Sequence, residues 1–261
     1  MKPNVAIVAL LLFSLLSCGR QEQAVRIVGG NVAVSAAAPE SLSVPMRRLL
    51  VQGKAAIDSI KSPVVGYAAA TLVAERPEST LMNFAADALL CRARLFTGEK
   101  IDVAITNKGG LRSELSEGVI TFGDVYNVFP FENSIITLTL NGEQLLLLFG
   151  EVARVGGEAI GGARMEISRC GSNLSCKKVV VGGCLLPGVD DSWKESEFRV
   201  VTNNYLAQGN DGLSTLVQGY DRKEYGVTLR ELVLDYISAL YVRGRAVDAA
   251  VDGRVKVIEC N

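Results

Sequence analysis

Two stretches of the sequence place polar side chains and glycines directly after an apolar run. The first is Asn107–Arg112 (NKGGLR), which follows the β-rich run Ile101–Thr106. The second is Asn203–Gly212 (NNYLAQGNDG), which follows the apolar run Phe198–Thr202. Loops that leave the end of a strand often carry the binding residues of a protein. An ordinary turn between two strands would also explain the glycines. The other residue types in the loops must therefore distinguish a binding site from such a turn.

Those residue types match the chemistry of a flat, hydroxylated and anionic ligand. Phe131 and Tyr205 are aromatic residues in loops, and two rings can hold a flat heterocycle between them by stacking. The carboxylate of Asp211 can accept from a pair of sugar hydroxyls, and the forked guanidinium of Arg112 can hold a phosphate. A single loop aromatic more often covers a core. The presence of both rings beside Asn107, Arg112 and Asp211 favours a binding site.

The chain contains no histidine, which narrows the enzyme classes that it can represent. Ser-His-Asp triads, Cys-His pairs and all histidine-containing metal sites are excluded. Catalysis would have to use carboxylates, Lys, Tyr, Cys or a metal held by carboxylates. The net charge of -1 gives no indication of a nucleic-acid partner, because a polyanion-binding protein carries a clustered basic surplus.

The first residues predict export of the protein. Met1 and Lys2 are followed by the apolar run Val5–Ser17, which is too short to span a bilayer comfortably and is typical of a secretory signal. The ending Leu-Leu-Ser-Cys18 resembles the bacterial lipoprotein signal, in which the cysteine is lipidated and becomes the first mature residue. A generic signal peptide with a chance cysteine is the alternative. We therefore predict a protein lipid-anchored to a bacterial membrane, facing the periplasm or the cell surface.

The rest of the chain is predicted to be one α+β domain with a mixed β-sheet and flanking helices. Residues 1–18 are the predicted signal, 19–40 a flexible tether and 41–261 the folded domain. Apolar periodicity predicts helices at Leu49–Ile60, Leu81–Phe96, Phe122–Val128, Glu143–Val155 and Leu229–Val242. Strands are predicted at Val64–Val73, Ile101–Thr106, Gly118–Ile120, Ser134–Leu140, Ala163–Ser168, Lys177–Val181, Phe198–Thr202 and Val255–Ile258. A predicted hairpin within 163–181 favours a mixed sheet over an all-parallel one.

Local signals define several boundaries. Thr121 with Asp124, and Thr228 with Glu231, have the spacing of capping boxes, and Gly98 is predicted to end the helix before it. Gly156–Gly162 is interpreted as a flexible connector because no Lys-Ser/Thr follows it.

The cysteines agree with an exported protein. Apart from Cys18, the chain has an odd number: Cys91, Cys170, Cys176, Cys184 and Cys260. One or two disulfides are predicted with the pairing left open, and Cys170, Cys176 and Cys184 are close enough in sequence to pair among themselves.

Three ordered motifs resemble the C-terminal domain of the 5′-nucleotidase family, which includes periplasmic UDP-sugar hydrolases and surface ecto-nucleotidases. They are Asn107–Arg112 (NKGGLR), Gly118–Asn133 (GVITFGDVYNVFPFEN) and Asn203–Leu213 (NNYLAQGNDGL), and the resemblance spans roughly Val64–Leu216. It implies the fold of that domain, which binds the nucleoside in the family.

By position, the resemblance assigns a role to each candidate residue. Phe131 and Tyr205 would stack on the base, Asn107 would help to read it, Arg112 would contact the ribose-phosphate and Asp211 would bind the ribose hydroxyls.

The sequence also departs from the family pattern at several positions. Lys108 replaces a glycine, and Tyr205 replaces the usual phenylalanine. Asn210 replaces a glycine and is expected to tolerate its backbone geometry. Arg76 lies close to a family arginine but is displaced from it, so it is a weak candidate.

The resemblance does not extend to the metal-binding half of the family. The Asp-x-His and Gly-Asn-His-Asp/Glu runs of the metallophosphoesterase domain are missing from a chain without histidine. This implies that the chain binds nucleotides without a catalytic residue, metal or cofactor of its own, and that a separately encoded metallophosphoesterase supplies the divalent metals. A non-catalytic nucleoside-binding lipoprotein and a relative that has lost its pocket remain alternatives. The preferred base is left open.

Overall fold

A computed structural model of the protein describes residues 44–260. The predicted signal, lipidated Cys18 and tether lie outside these residues. Residues 51–260 form one compact unit, which contains all the candidate substrate-binding residues. Among residues 44–260, no helix combines the length and apolar character that crossing a bilayer requires.

The described residues form six α-helices and eleven strands. The α-helices are α1 (Val44–Lys61), α2 (Thr80–Thr97), α3 (Phe122–Val128), α4 (Gly142–Arg154), α5 (Asn204–Ala207) and α6 (Leu229–Val242). The strands are β1 (Val64–Ala68), β2 (Val103–Thr106), β3 (Gly118–Thr121), β4 (Ser134–Asn141), β5 (Ala159–Gly161), β6 (Ala163–Cys170), β7 (Asn173–Val181), β8 (Cys184–Leu186), β9 (Glu197–Asn203), β10 (Tyr220–Thr228) and β11 (Val255–Glu259).

The strands form three sheets of mixed direction. The central sheet has the order β10-β4-β9-β2-β5, and a four-stranded sheet has the order β11-β6-β7-β8. Strands β1 and β3 form a separate pair. In the central sheet β2 and β9 are parallel, whereas β4 is antiparallel to β9 and β5 is antiparallel to β2. The predicted α+β class with a mixed sheet is therefore confirmed.

The central sheet separates two apolar cores. Ala104 of β2 faces a core built largely from α2 and α6, while Val103 and Ile105 face a core that includes α4. This alternation follows from the period of two residues in a strand. It explains why β2 is buried on both faces and reads as a continuous apolar run.

The predicted helix boundaries are largely confirmed. Gly98 ends α2 in the left-handed conformation at φ 70°. Thr121 and Asp124 form a complete capping box at α3, and Thr228 and Glu231 form another at α6. Each box satisfies backbone N–H groups that the first turn of a helix leaves unpaired.

Two predictions about the strands need correction, and some strands were not predicted at all. Gly156–Gly162 is not only a connector, because it contains β5, which pairs with β2 at the sheet edge. The first strand ends at Ala68 rather than Val73. The edge strand β10 was missed because its exposed run of charged residues, Asp221–Glu224, hides the usual apolar alternation.

One disulfide lies within the described residues, and it joins Cys170 to Cys260. The bond connects the last residue of β6 to the residue that follows β11, and these two strands are parallel neighbours in the sheet. Cys176 and Cys184 are free thiols, so pairing within the sequence cluster is wrong. The sheet order decides the pairing, because β11 returns from the end of the chain to lie beside β6.

A half-buried carboxylate, that of Glu99, links two neighbouring regions of the central sheet. Glu99 accepts from Arg199 Nε at 2.7 Å, Lys223 Nζ at 2.9 Å and the Tyr225 hydroxyl at 2.8 Å. Burial opposes ionisation of Glu99, but these hydrogen bonds outweigh it and lower its pKa to about 2.

We expect the substitution Glu99→Gln to lower the free energy of unfolding at neutral pH by about 2 kcal/mol, because hydrogen bonds to a charged acceptor are lost. The folded pKa of about 2 lies below the ordinary value of 4.5, so the ionised form stabilises the fold above pH 4.5. That contribution disappears as the pH falls toward 2. Urea unfolding of both proteins between pH 7 and pH 2.5 should show the difference shrinking with acidity, and a difference independent of pH would contradict this account.

Candidate functional site

Three loops meet at one edge of the central sheet. Because β2 and β9 are parallel neighbours, their carboxyl ends at Thr106 and Asn203 lie at the same edge. Strand β4 is antiparallel to β9 and pairs Ile135 with Asn203, so the chain entering β4 arrives there too. The loops after β2 and β9 and the loop before β4 therefore converge. A ligand site at the carboxyl ends of parallel strands is a recurrent arrangement.

The three loops enclose a cavity of about 330 Å³. Its lining is Asn107, Gly109, Arg112, Phe131, Asn133, Tyr205 and Asp211. All five residues predicted from the sequence thus lie around one cavity, although they come from widely separated positions in the chain. The volume is at the lower end of the range for small-molecule sites. The role of each residue stays a prediction.

Asp211 is held by two other residues of the cavity, Asn107 and Tyr205. Its Oδ2 accepts from Asn107 Nδ2 at 2.6 Å, and its Oδ1 accepts from the Tyr205 hydroxyl at 2.9 Å. The backbone of Asp211 is left-handed, with φ 54°, and Gly209 and Gly212 on either side also have positive φ. Asn210 does not adopt this conformation, so the left-handed residue is Asp211 rather than the predicted Asn210. Aspartate and asparagine are the non-glycine residues that tolerate it best.

Asn107 forms the buried floor of the cavity. It is 5% exposed, and its Oδ1 accepts from Asn203 Nδ2 at 3.3 Å. A Cβ on Gly110 would lie only 3.0 Å from that same Oδ1, so the second glycine of NKGGLR leaves room for the Asn107 side chain. Asn203 in turn caps α5 by accepting from Leu206 N–H at 2.8 Å. The amide pair therefore fixes the two strand ends relative to each other.

The two aromatic residues do not cover the core. Phe131 is 47% exposed and Tyr205 is 40% exposed, and both line the cavity. Leaving large rings in water forgoes the stabilisation that burial provides. Their exposure favours ligand contact over the alternative of core-covering aromatics. The hydrogen bond to Asp211 raises the pKa of Tyr205 above its ordinary value, so the phenol remains a donor at neutral pH.

Arg112 presents its positive charge to the cavity. Its backbone N–H donates to Val128 O at 3.0 Å, which attaches the loop to the end of α3. Its Nη1 contacts Gly109 O at 3.3 Å. Among the described residues Arg112 forms no ion pair with a carboxylate, so the guanidinium can still bind an anion.

Arg76, the weak candidate, does not line the cavity. Its Nη2 donates to the buried carboxylate of Glu158, whose other oxygen accepts from Lys108 N–H. Burial raises the pKa of Glu158. Arg76 therefore supports the cavity indirectly, because it binds the carboxylate that holds the backbone of Lys108, the residue after Asn107. Glu158 was missed because it lies in the stretch interpreted as a connector.

The other two loops are also held by buried charged residues that sequence reasoning missed. Glu151 of α4 accepts from Ser214 Oγ at 2.5 Å and from Thr215 N–H at 3.0 Å, just beyond Asp211. Arg230 of α6 donates to Phe129 O at 3.0 Å and to Glu132, on either side of Phe131. Charged side chains inside helices that read as amphipathic give no sequence signal of such a role.

Asn133 also lines the cavity, although it was not among the residues predicted from the sequence. No hydrogen bond of its side chain is found among the described residues, while it lines the same cavity as Phe131. Its amide can therefore donate to and accept from a ligand.

The chain is similar to known proteins and to solved structures. The sequence profile of the 5′-nucleotidase C-terminal domain family matches residues 61–218. The trifunctional nucleotide phosphoesterase protein YfkN of Bacillus subtilis (strain 168) is 30% identical over 220 residues, which are 80% of this chain and 15% of that protein. Human 5′-nucleotidase is 27% identical over 198 residues, which are 69% of this chain and 33% of that protein.

A solved structure gives the same result at the level of the fold. The 5′-nucleotidase precursor from Thermus thermophilus superposes with a TM-score of 0.67 and 27% identity, covering 82% of this chain and 43% of that one. This chain therefore spans less than half the length of each of these relatives. The matched segment contains β2, β4, β9 and the three loops that enclose the cavity. The chain belongs to the 5′-nucleotidase C-terminal domain family.

Proposed function

We propose that this chain is the nucleoside-recognition part of a 5′-nucleotidase-type phosphohydrolase. The observation that carries the proposal is the convergence of Phe131, Tyr205, Asp211 and Arg112 on one cavity. Two exposed rings suit a nucleobase, an oriented carboxylate suits the ribose hydroxyls, and an arginine without a carboxylate partner among the described residues suits phosphate.

The base would lie between Phe131 and Tyr205, with its polar edge facing the amides of Asn107 and Asn133. Asn107 already donates one N–H to Asp211 and accepts once from Asn203. Its second N–H and second lone pair are still available to a base. Asn133 offers its whole amide. We therefore propose that the two amides share the reading of the base.

Arg112 would direct the phosphate out of the cavity toward metal ions on another polypeptide. The 261 residues contain no histidine, and we propose that a separately encoded metallophosphoesterase carries the divalent metals. Binding of the base and sugar here would then orient the phosphate for hydrolysis there, as part of nucleotide catabolism. The similar proteins are named as a nucleotide phosphoesterase and a 5′-nucleotidase, which supports a nucleotide as the ligand.

We also propose that the protein is exported and anchored to a membrane through lipidated Cys18. The support is the apolar run that ends at this cysteine. An extracytoplasmic location also suits the Cys170–Cys260 disulfide, because such bonds persist in oxidising compartments.

Assaying phosphate release from 5′-AMP tests the division of labour. The full chain with Mn²⁺, Mg²⁺ or Zn²⁺ should bind AMP, as measured by calorimetry, but release no phosphate. Adding a metallophosphoesterase encoded beside it should produce turnover, and Phe131→Ala should reduce that turnover. Robust hydrolysis by the purified chain alone would exclude the proposal, and AMP binding without turnover under any pairing would instead favour a non-catalytic nucleoside-binding lipoprotein.

A further inference from the structure

The hydroxyl of Tyr205 performs a task that a phenylalanine ring cannot. It donates to Asp211 Oδ1 at 2.9 Å, while Asn107 Nδ2 donates to Oδ2 at 2.6 Å. Each carboxylate oxygen therefore has one donor from the protein. A carboxylate has about four lone-pair sites, so each oxygen keeps capacity for another donor.

The two donors remove the freedom that an exposed carboxylate would otherwise have. Asp211 lies in a loop and is exposed, and its left-handed backbone fixes the Cα position but not the orientation of the carboxylate. Ordering a free side chain upon ligand binding costs conformational entropy. Because both oxygens are already held in the folded protein, ligand binding does not have to order this side chain.

We propose that the Tyr205 hydroxyl is a positioning group that makes the site selective for ribonucleosides over 2′-deoxyribonucleosides. The inference rests on the proposed function. A vicinal diol provides two donors at the spacing of the two carboxylate oxygens, whereas a 2′-deoxyribose provides one. Because Tyr205 also contributes its ring to the cavity, one residue links recognition of the base to recognition of the sugar.

The protonation state of Tyr205 agrees with this role. Its hydrogen bond to Asp211 raises the pKa of the phenol above its ordinary value of 10.0. The group therefore remains a donor across the neutral and mildly alkaline range in which a nucleotidase would operate.

The substitution Tyr205→Phe tests the inference because it keeps the ring and removes only the hydroxyl. Calorimetry on the full chain would use adenosine, 2′-deoxyadenosine and adenine as ligands. Tyr220→Phe is a matched control, because the exposed Tyr220 also donates to a carboxylate, Glu197 Oε1 at 2.6 Å, and does not line the cavity. We expect Tyr205→Phe to weaken adenosine binding about five- to tenfold, which lies within the range for the loss of one typical hydrogen bond.

The same variant should weaken 2′-deoxyadenosine less and leave adenine unchanged, and Tyr220→Phe should change none of the three. If wild type binds adenosine and Tyr205→Phe binds it equally well, the inference is overturned while the proposed function stands. An equal loss for all three ligands also overturns it, since the hydroxyl would then support the ring rather than sugar recognition. If wild type binds none of the three, both the inference and the proposed function fail.

Discussion

The substitution Phe131→Ala is expected to weaken adenosine binding by roughly 5- to 150-fold, since stacking of one base on an aromatic side chain contributes about 1–3 kcal/mol. The ring lies in the cavity wall and is 47% exposed, so its removal leaves no hole in the core. Calorimetry with adenosine and AMP measures the effect, and thermal unfolding should show little change.

Phe96→Ala is the matched control for this substitution. Phe96 is also a half-exposed phenylalanine, at 56%, but it contacts Tyr225 rather than the cavity. We expect it to leave the dissociation constant of adenosine unchanged. If wild type and Phe131→Ala bound adenosine with equal affinity, the prediction that the base stacks on Phe131 would be wrong.

Asp211→Asn is expected to weaken adenosine binding by about 30-fold and to leave adenine binding nearly unchanged. Two hydrogen bonds to a charged acceptor become weaker neutral ones, each by about 1 kcal/mol. Asparagine is chosen over alanine because it tolerates the left-handed backbone of this position, with φ 54°. The new amide also opposes Asn107 Nδ2, which donates to the carboxylate in the wild type.

Asp221→Asn is the matched control, because it removes the same charge from another aspartate with a left-handed backbone. Asp221 is also a non-glycine residue at positive φ, and it pairs with Arg199 at 3.1 Å, away from the cavity. Its substitution should not alter adenosine affinity. If Asp211→Asn weakened adenine as much as adenosine, the ribose role of Asp211 would be wrong.

The fold was predictable where local signals are strong. The capping boxes at Thr121 and Thr228 and the stop at Gly98 are encoded in three or four neighbouring residues, and the structure confirms each. Strand β10 escaped prediction because an edge strand can turn its charges to water and lose its apolar alternation. The disulfide partner of Cys170 depended on the sheet order, which no local pattern encodes.

The residues that line the candidate site could be predicted from the sequence, but the buried charged residues that hold its loops could not. Residues that would touch a ligand lie in glycine-rich motifs that stand out in the sequence, and all five predicted ones line the same cavity. The supporting residues do not line the cavity but hydrogen-bond to backbone groups of its loops; they are Glu158, Glu151 and Arg230. Their role depends on which strands are neighbours, so it could be recognised only once the loops were in place.

A crystal structure of the full chain with adenosine tests the central claim most directly. We expect the adenine ring between Phe131 and Tyr205, both ribose hydroxyls within 3.2 Å, roughly the hydrogen-bond limit, of the Asp211 carboxylate, and the 5′ position directed toward Arg112. Adenosine bound elsewhere on the protein, with this cavity empty at saturating ligand, would contradict the account.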